Sequence, residues 1–267
     1  MDERRPSTNQ IYFRNNYHNS RNTVNLLIVY KSTGPESDKS WERSYNGEDN
    51  LKKAFDGMKT LLINPRLRLE VFLWDNELDA ELDEKLMEIL KSLNHKMEVV
   101  YLDATLNADL LIDLLKAIKP ETLEEIELRG KFEPIHIDRL AQLDQWKKPE
   151  GAYFWDDIPN FSSCLHHFQH FKNAAVEVES LSMDDILFIK QLFTQNDKLE
   201  SFKIDVEDKP SESEIVERLG HSELRVNEKE EYFFRLYEIP GSNDQLEVTI
   251  MEIGIHFIRK PLNEEDC

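Results

Sequence analysis

The sequence predicts an α/β protein: a βα solenoid with about 24–28 residues per repeat and an antiparallel cap at its C-terminal end. Three observations carry that reading. First, a short strand-like pattern recurs. Leu69-Glu70-Val71-Phe72-Leu73-Trp74 has the form apolar, Glu, x, apolar, x, apolar, and so do Met97 to Leu102, Leu123 to Leu128 and Leu199 to Ile204. Degenerate copies at Pro149 to Phe154 and Asn173 to Val178 keep the fourth and sixth apolar positions. The starts are therefore spaced by 28, 26, 26, 24 and 26 residues. Second, amphipathic helical stripes lie between these segments. Third, the residues between the apolar positions turn polar, as at Glu125, Glu127, Ser201 and Lys203, so one sheet face is expected to be open. The alternative is a doubly wound sheet, whose strands would be apolar on both faces.

In chain order, residues 1–20 are polar and rich in Arg and Asn, which predicts a flexible arm. Val24 to Lys31 is a candidate first strand, followed by an irregular insert around Gly34 to Gly47. The helical stripes are Leu78, Leu82, Leu86, Ile89, Leu90 and Leu93, then Leu110, Leu111, Leu114, Leu115 and Ile118. A third runs through Phe161, Leu165, Phe168 and Phe171, and a fourth through Ile186, Ile189 and Phe193, all at spacings of three and four. Pro120 marks the end of the second helix, and Ser182 with Asp184 and Asp185 caps the fourth. Ser211-Glu212-Ser213-Glu214 is a further helix start. Tyr232 to Ile239 and Leu246 to Ile250 flank Pro240-Gly241-Ser242-Asn243-Asp244, a hairpin loop, and with Ile253 to Ile258 they form the cap. The organisation expected is an arm (1–20), one solenoid domain (21–260) and a tail (261–267). The asparagine that closes many leucine-rich repeats is missing: Glu77, Thr105, Lys131, Asp157 and Glu207 stand in its place. The solenoid is leucine-rich-repeat-like only in that sense.

Charge narrows the partners. With 33 Lys+Arg against 53 Asp+Glu the formal net charge is −20. Such a chain is repelled by nucleic acid and by anionic lipid. Forty per cent hydrophobic and ten per cent aromatic residues suffice for a core. Cys164 and Cys267 give no disulfide framework, and no apolar run approaches the roughly 18 residues of a membrane helix. These features predict an intracellular protein, cytoplasmic with the nucleus also open.

A family resemblance rests on Leu143-Asp144-Gln145-Trp146-Lys147, on Leu165-His166-His167-Phe168-Gln169-His170-Phe171, and on Leu181-Ser182-Met183-Asp184-Asp185-Ile186 at the next helix start. Asn64 to Glu70 and Pro120 to Ile126 add strand openings. This succession, over about residues 45–258, resembles the FTH domain, also known as domain of unknown function 38, of the nematode F-box A proteins. The resemblance implies a non-catalytic protein-interaction role, in which an N-terminal F-box docks on a Skp1-type adaptor of a ubiquitin ligase and the FTH region recruits the partner. Between Met1 and Lys31 the leucine- and proline-rich opening of an F-box is not recognisable, and Pro149 replaces the small residue usual after Gln-Trp-Lys. Direct adaptor docking is therefore not expected here, and an F-box-less competitor of the substrate receptors is one variant of the reading.

Chemical candidates are few. Cys164, His166, His167 and His170 form the one cluster with metal-like chemistry. On a helix, His166 and His170 would share a face as in a zincin, which makes a metal-dependent hydrolase the alternative function. His167 stands where that motif needs its glutamate, so an amphipathic structural helix with no metal is the reading preferred. No glycine loop cradles a phosphate, and no cofactor is implied. The repeat register instead points to the open sheet face. Its fifth and seventh positions are Leu73 and Asp75, Tyr101 and Asp103, Glu127 and Arg129, Tyr153 and Trp155, Glu177 and Glu179, Lys203 and Asp205. Aromatics among acids suit a protein partner that offers a basic segment with apolar anchors, unless the arm or insert covers them.

Overall fold

The computed structural model describes the chain outside residues 1–7, 19–20, 32–39, 47, 77–78, 220–222, 227–230 and 263–267, with side chains at 10–13, 51–76, 79–219 and 233–262. Much of the predicted arm, the insert before residue 40, Glu77, Leu78, Cys267 and most of the tail lie outside those residues. In chain order the elements are β1 Thr8–His18, β2 Arg21–Lys31, β3 Ser40–Asn46, α1 Glu48–Leu62, β4 Arg68–Asp75, α2 Ala80–Ser92, β5 Glu98–Thr105, α3 Ala108–Lys116 and β6 Glu125–Arg129. There follow α4 Pro134–Leu140, α5 Asp144–Lys147, β7 Gly151–Ile158, two 3-10 turns at Phe161–Ser163 and Leu165–Phe168, β8 Asn173–Val178, α6 Met183–Gln195 and β9 Ser201–Asp205. The chain ends with α7 Glu212–Leu219, β10 Glu223–Val226, β11 Glu231–Glu238, β12 Asp244–Met251 and β13 Gly254–Pro261. The protein is thus mixed α/β. It divides into two compact units, residues 1–130 with 142–149, and residues 131–141 with 150–267.

In the first unit the strand order is β3-β2-β1-β4-β5-β6. β1 pairs antiparallel with β2 and β2 with β3, while β1, β4, β5 and β6 run parallel. Parallel neighbours need a crossover, and α2 and α3 supply it. α2 starts at Asp79, whose carboxylate accepts from the backbone N–H of Glu81 at 3.0 Å and of Leu82 at 3.3 Å. Leu82, Leu86, Ile89 and Leu90 bury as the stripe predicts, and so do Leu111, Leu114, Leu115 and Ile118. α3 stops at Lys116, before Pro120. The core under β1 and β4 is aromatic: Phe13 stacks on Trp74 at 3.9 Å, with Phe55 of α1 at 5.9 Å from Phe13. Sequence reading overlooked Phe13 and Phe55, the rings packed on Trp74. α1 announces itself only by Ala54, Phe55, Met58 and Leu62, all buried. β1 runs through the segment expected as an arm, and where its side chains are described, buried Ile11 and Phe13 alternate with part-exposed Gln10 and Tyr12.

The second unit orders its strands β7-β8-β9-β13-β12-β11-β10. β7, β8 and β9 are parallel, and β9, β13, β12, β11 and β10 are successively antiparallel. The C-terminal antiparallel strands and the hairpin at Pro240 to Asp244 therefore stand as expected. α6 carries a full capping box: the Ser182 hydroxyl accepts from the N–H of Asp185, whose carboxylate accepts from the N–H of Ser182. α7 begins as predicted, with Ser211 accepting from the N–H of Glu214.

One predicted helix does not form. Phe161, Leu165, Phe168 and Phe171 are all buried, but the segment is two 3-10 turns entered through Asn160 at φ 48°. A 3-10 helix, with three residues per turn, brings the same side chains inward, so the stripe was right and the helix was not. Leu143 to Lys147 carries the short helix α5, Asp144–Lys147, separate from α4 and leading to β7.

Candidate functional site

Register decides which side chains share the polar face. In the first unit Leu73 lies beside Asp103 and Asp103 beside Glu127, while Asp75 lies beside Thr105 and Thr105 beside Arg129. The sequence alignment placed Leu73 level with Tyr101, and the true pairing is displaced by two residues. A displacement of two keeps every side chain on its expected face, so Leu73, Asp75, Tyr101, Asp103, Glu127 and Arg129 do share one side.

These acids are not a free patch. Arg129 donates to both Asp103 and Glu127, and the Tyr101 hydroxyl donates to Glu127. Burial pushes the Asp103 carboxyl above its ordinary range, against the pull of Arg129. Burial and the Glu127 carboxylate likewise push the Tyr101 phenol up. Leu73 is only 9% exposed. Here the face is largely satisfied from within. Gly130 closes β6 at φ +149°, where a Cβ would collide with the Leu106 carbonyl oxygen.

The second unit differs. Its rows are Tyr153, Ala175 and Lys203, and then Glu177 beside Asp205. Again one copy, that at Asn173, is displaced by two residues, which brings in Ala175. Tyr153 and Trp155 are stacked, 6.5 Å apart and 12° from parallel. Lys203 lies 5.9 Å over the Trp155 ring and donates to Asp205 at 2.7 Å. At the C-terminal ends of β7, β8 and β9, Asp157, Glu177, Glu179, Asp205 and Glu207 ring a cavity of about 340 Å³ completed by Val178, Val206 and Ile253. Burial raises the Glu177 carboxyl, and the charges of Asp157, Asp205 and Asp156 raise it further. Ile253, 61% exposed, offers apolar surface at the rim. Sequence reading missed Asp157, Glu207 and Ile253: Glu207 and Ile253 are loop residues with no place in a strand register, and Asp157 lies near the end of β7, beyond the positions that the repeat compares.

The histidines fall apart as a metal site. His166 stands on a 3-10 turn that ends at Phe168 and His170 lies beyond it, so the pair loses the one-turn spacing that a helix would give. His167 meets Asp138 at 2.8 Å, and His170 packs on Phe171 at 4.0 Å. Among the described residues no group of three or more His, Cys, Asp or Glu is placed to hold a metal ion. Cys164, beside the His167–Asp138 pair, is fully buried, and burial pushes its thiol up to about 12, the opposite of a nucleophile.

The Gln-Trp-Lys element is structural. Trp146 is buried, and Gln145, 4% exposed, donates to the Ile118 carbonyl at 2.7 Å. Parallel strands backed by helices, antiparallel C-terminal strands and a polar face with aromatics define a mixed α/β protein of the strand–helix type. The model of the FTH domain matches residues 81–220, more than half of the sequence, and the chain belongs to the FTH domain family. The F-box A protein 224 of Caenorhabditis elegans is 23% identical over 203 residues, which cover 73% of this chain and 52% of that protein. The chain thus spans about half the length of the curated relative it matches. No helix among the described residues is long and apolar enough to cross a membrane.

Proposed function

We propose that the chain is a non-catalytic protein-interaction module that captures a polypeptide with basic residues and apolar anchors on the polar face of β7, β8 and β9. The observation that carries this is the cavity ringed by five carboxylates at the ends of β7, β8 and β9, on the sheet whose β7 holds the stacked Tyr153 and Trp155. Carboxylates set orientation and association rate, and rigid aromatics supply contact area at low entropic cost. A lysine or arginine of the partner would enter between Glu177 and Asp205 with its stem along Ile253. Membership of the FTH family supports an interaction role, and the relative's name supports an F-box-associated setting. In this reading the parallel strands of each unit are stretches of a leucine-rich-repeat-like solenoid. The module works inside the cell, where its cysteines stay reduced.

Affinity capture with the intact chain tests the proposal. The double variant Tyr153→Ala, Trp155→Ala and the double variant Glu177→Gln, Asp205→Asn are each expected to keep the wild-type circular dichroism and to lose the captured partner by at least about tenfold. Undiminished capture by both would overturn it. Loss of the fold in the aromatic variant alone would make Tyr153 and Trp155 core residues, and the charge variant would then decide.

A further inference from the structure

We infer that Lys190, Arg235 and Tyr237 form a binding site for a phosphate-type oxyanion on the helix-backed side of β11 and β12. β11 carries Arg235 and Tyr237 two residues apart, hence on one face. Arg235 lies opposite Val248, which lies opposite Phe257, and Tyr237 lies opposite Leu246. Val248, Phe257 and Leu246 are buried, so Arg235 and Tyr237 project toward the core side. From α6, Lys190 reaches the same ring: its Nζ is 3.6 Å from the Tyr237 centroid, and the Arg235 guanidinium carbon is 5.1 Å from it. The ring is fixed in place, because the Tyr237 hydroxyl donates to the Leu219 carbonyl at 2.8 Å.

Three facts point to an anion. Two like charges converge on one ring in a chain where acids outnumber bases by 53 to 33, yet among the described residues no ion pair reaches either of them. Two other arginines that reach into the fold are provided for: Arg129 has Asp103 and Glu127, and Arg259 has Asp244 and three backbone carbonyls. The Nε of Arg235 is buried without a hydrogen-bond partner, an arrangement that folded proteins seldom keep without a reason. Burial and the Arg235 charge also weaken the hold of Lys190 on its proton. An oxyanion seated between the two heads would offset their repulsion. A planar guanidinium fork beside a compact ammonium matches the tetrahedral oxygens of phosphate. The site lies apart from the β7–β9 polar face and does not depend on the role assigned to that face.

The test uses the full chain and inorganic phosphate, titrated at constant ionic strength against chloride. Arginine Nε–H and lysine signals by NMR, with calorimetry, give the readout. Saturable binding is expected, with shifts at Arg235 and Lys190, at least about tenfold weaker in Arg235→Gln and in Lys190→Met. It should be unchanged in Lys198→Met. Should Arg235→Gln fail to fold, Arg235→Lys keeps the charge without the fork and is expected to bind more weakly than wild type. A phosphoserine peptide distinguishes the source: tighter binding than phosphate assigns the site to a phosphorylated partner, equal or weaker binding to the free ion. Non-saturable response, chloride acting as phosphate does, or variants that bind like wild type would overturn the inference.

Discussion

Phe168 packs against the rings of Phe154, Phe161, Phe171 and Phe202 at centroid distances of 5.5 to 6.4 Å. Removing such a hub leaves a cavity as well as lost contacts, so Phe168→Ala is expected to cost about 3–5 kcal/mol in urea unfolding. Cys164 in the same cluster is fully buried with its thiol raised. Its peptide should resist iodoacetamide at pH 8 in the native protein and react once the protein is unfolded in guanidinium. Labelling of native Cys164 at the rate of a free thiol would show that the 161–171 segment opens. Because the folded thiol titrates above the unfolded one, its contribution to stability is complete below the unfolded value and is lost as pH rises toward about 12. Arg259 does comparable structural service by a different route. It donates to the carbonyls of Phe193, Asn196 and Leu199, closing the C-terminus of α6 onto the start of β9. Arg259→Ala strands three acceptors, and a loss of about 2–4 kcal/mol is expected in the same assay.

Among the elements, α6 shows what a sequence conveys well. Ser182 and Asp185 have only one good use at that spacing, and the box they form is extended by Ser162, whose hydroxyl donates to the Asp185 carboxylate at 2.6 Å. Ser182→Ala should cost about 1 kcal/mol, and in Asp185→Ala the further effect should not add, since both remove the same box. Strands β4 to β9 were legible too, because period-two patterning survives whatever surrounds it, whereas β3 forms where an irregular insert was expected. The 161–171 segment was not, since spacings of three serve a 3-10 turn as readily as an α-helix and the sequence carries no sign of the left-handed Asn160 that starts it. β1 was hidden by its composition: among its described side chains Ile11 and Phe13 are buried, in a run that carries Asn, Gln and Arg. For the polar face the sequence supplied the right side chains but not their state. Arg129 was placed beside Glu127, yet its grip on Asp103 depends on a register two residues away from the one the repeat suggested. The cation pair at Lys190 and Arg235 was invisible, as no pattern links a helix position to a strand about 45 residues on.

At the scale of the molecule, the −20 charge bears on binding more than on folding. If the partner carries a basic segment, its association should slow and its affinity should fall as sodium chloride rises from low to about 0.5 M, since the Debye length then shrinks below the width of the carboxylate ring. Affinity insensitive to salt would leave the aromatics as the sole grip. Lower pH should weaken capture as well. The Glu177 carboxyl, raised by burial and by its acidic neighbours, loses its charge at a higher pH than an ordinary carboxylate. The paired strands add a consequence of another kind. Between β4 and β5, and again between β7 and β8, the chain sits two residues away from the spacing its repeat implies, and nothing on either face is misplaced. The architecture therefore counts parity rather than length: relatives can lengthen or shorten a strand's offset in steps of two and keep their surfaces, while a single-residue slip would exchange core for solvent along the whole strand.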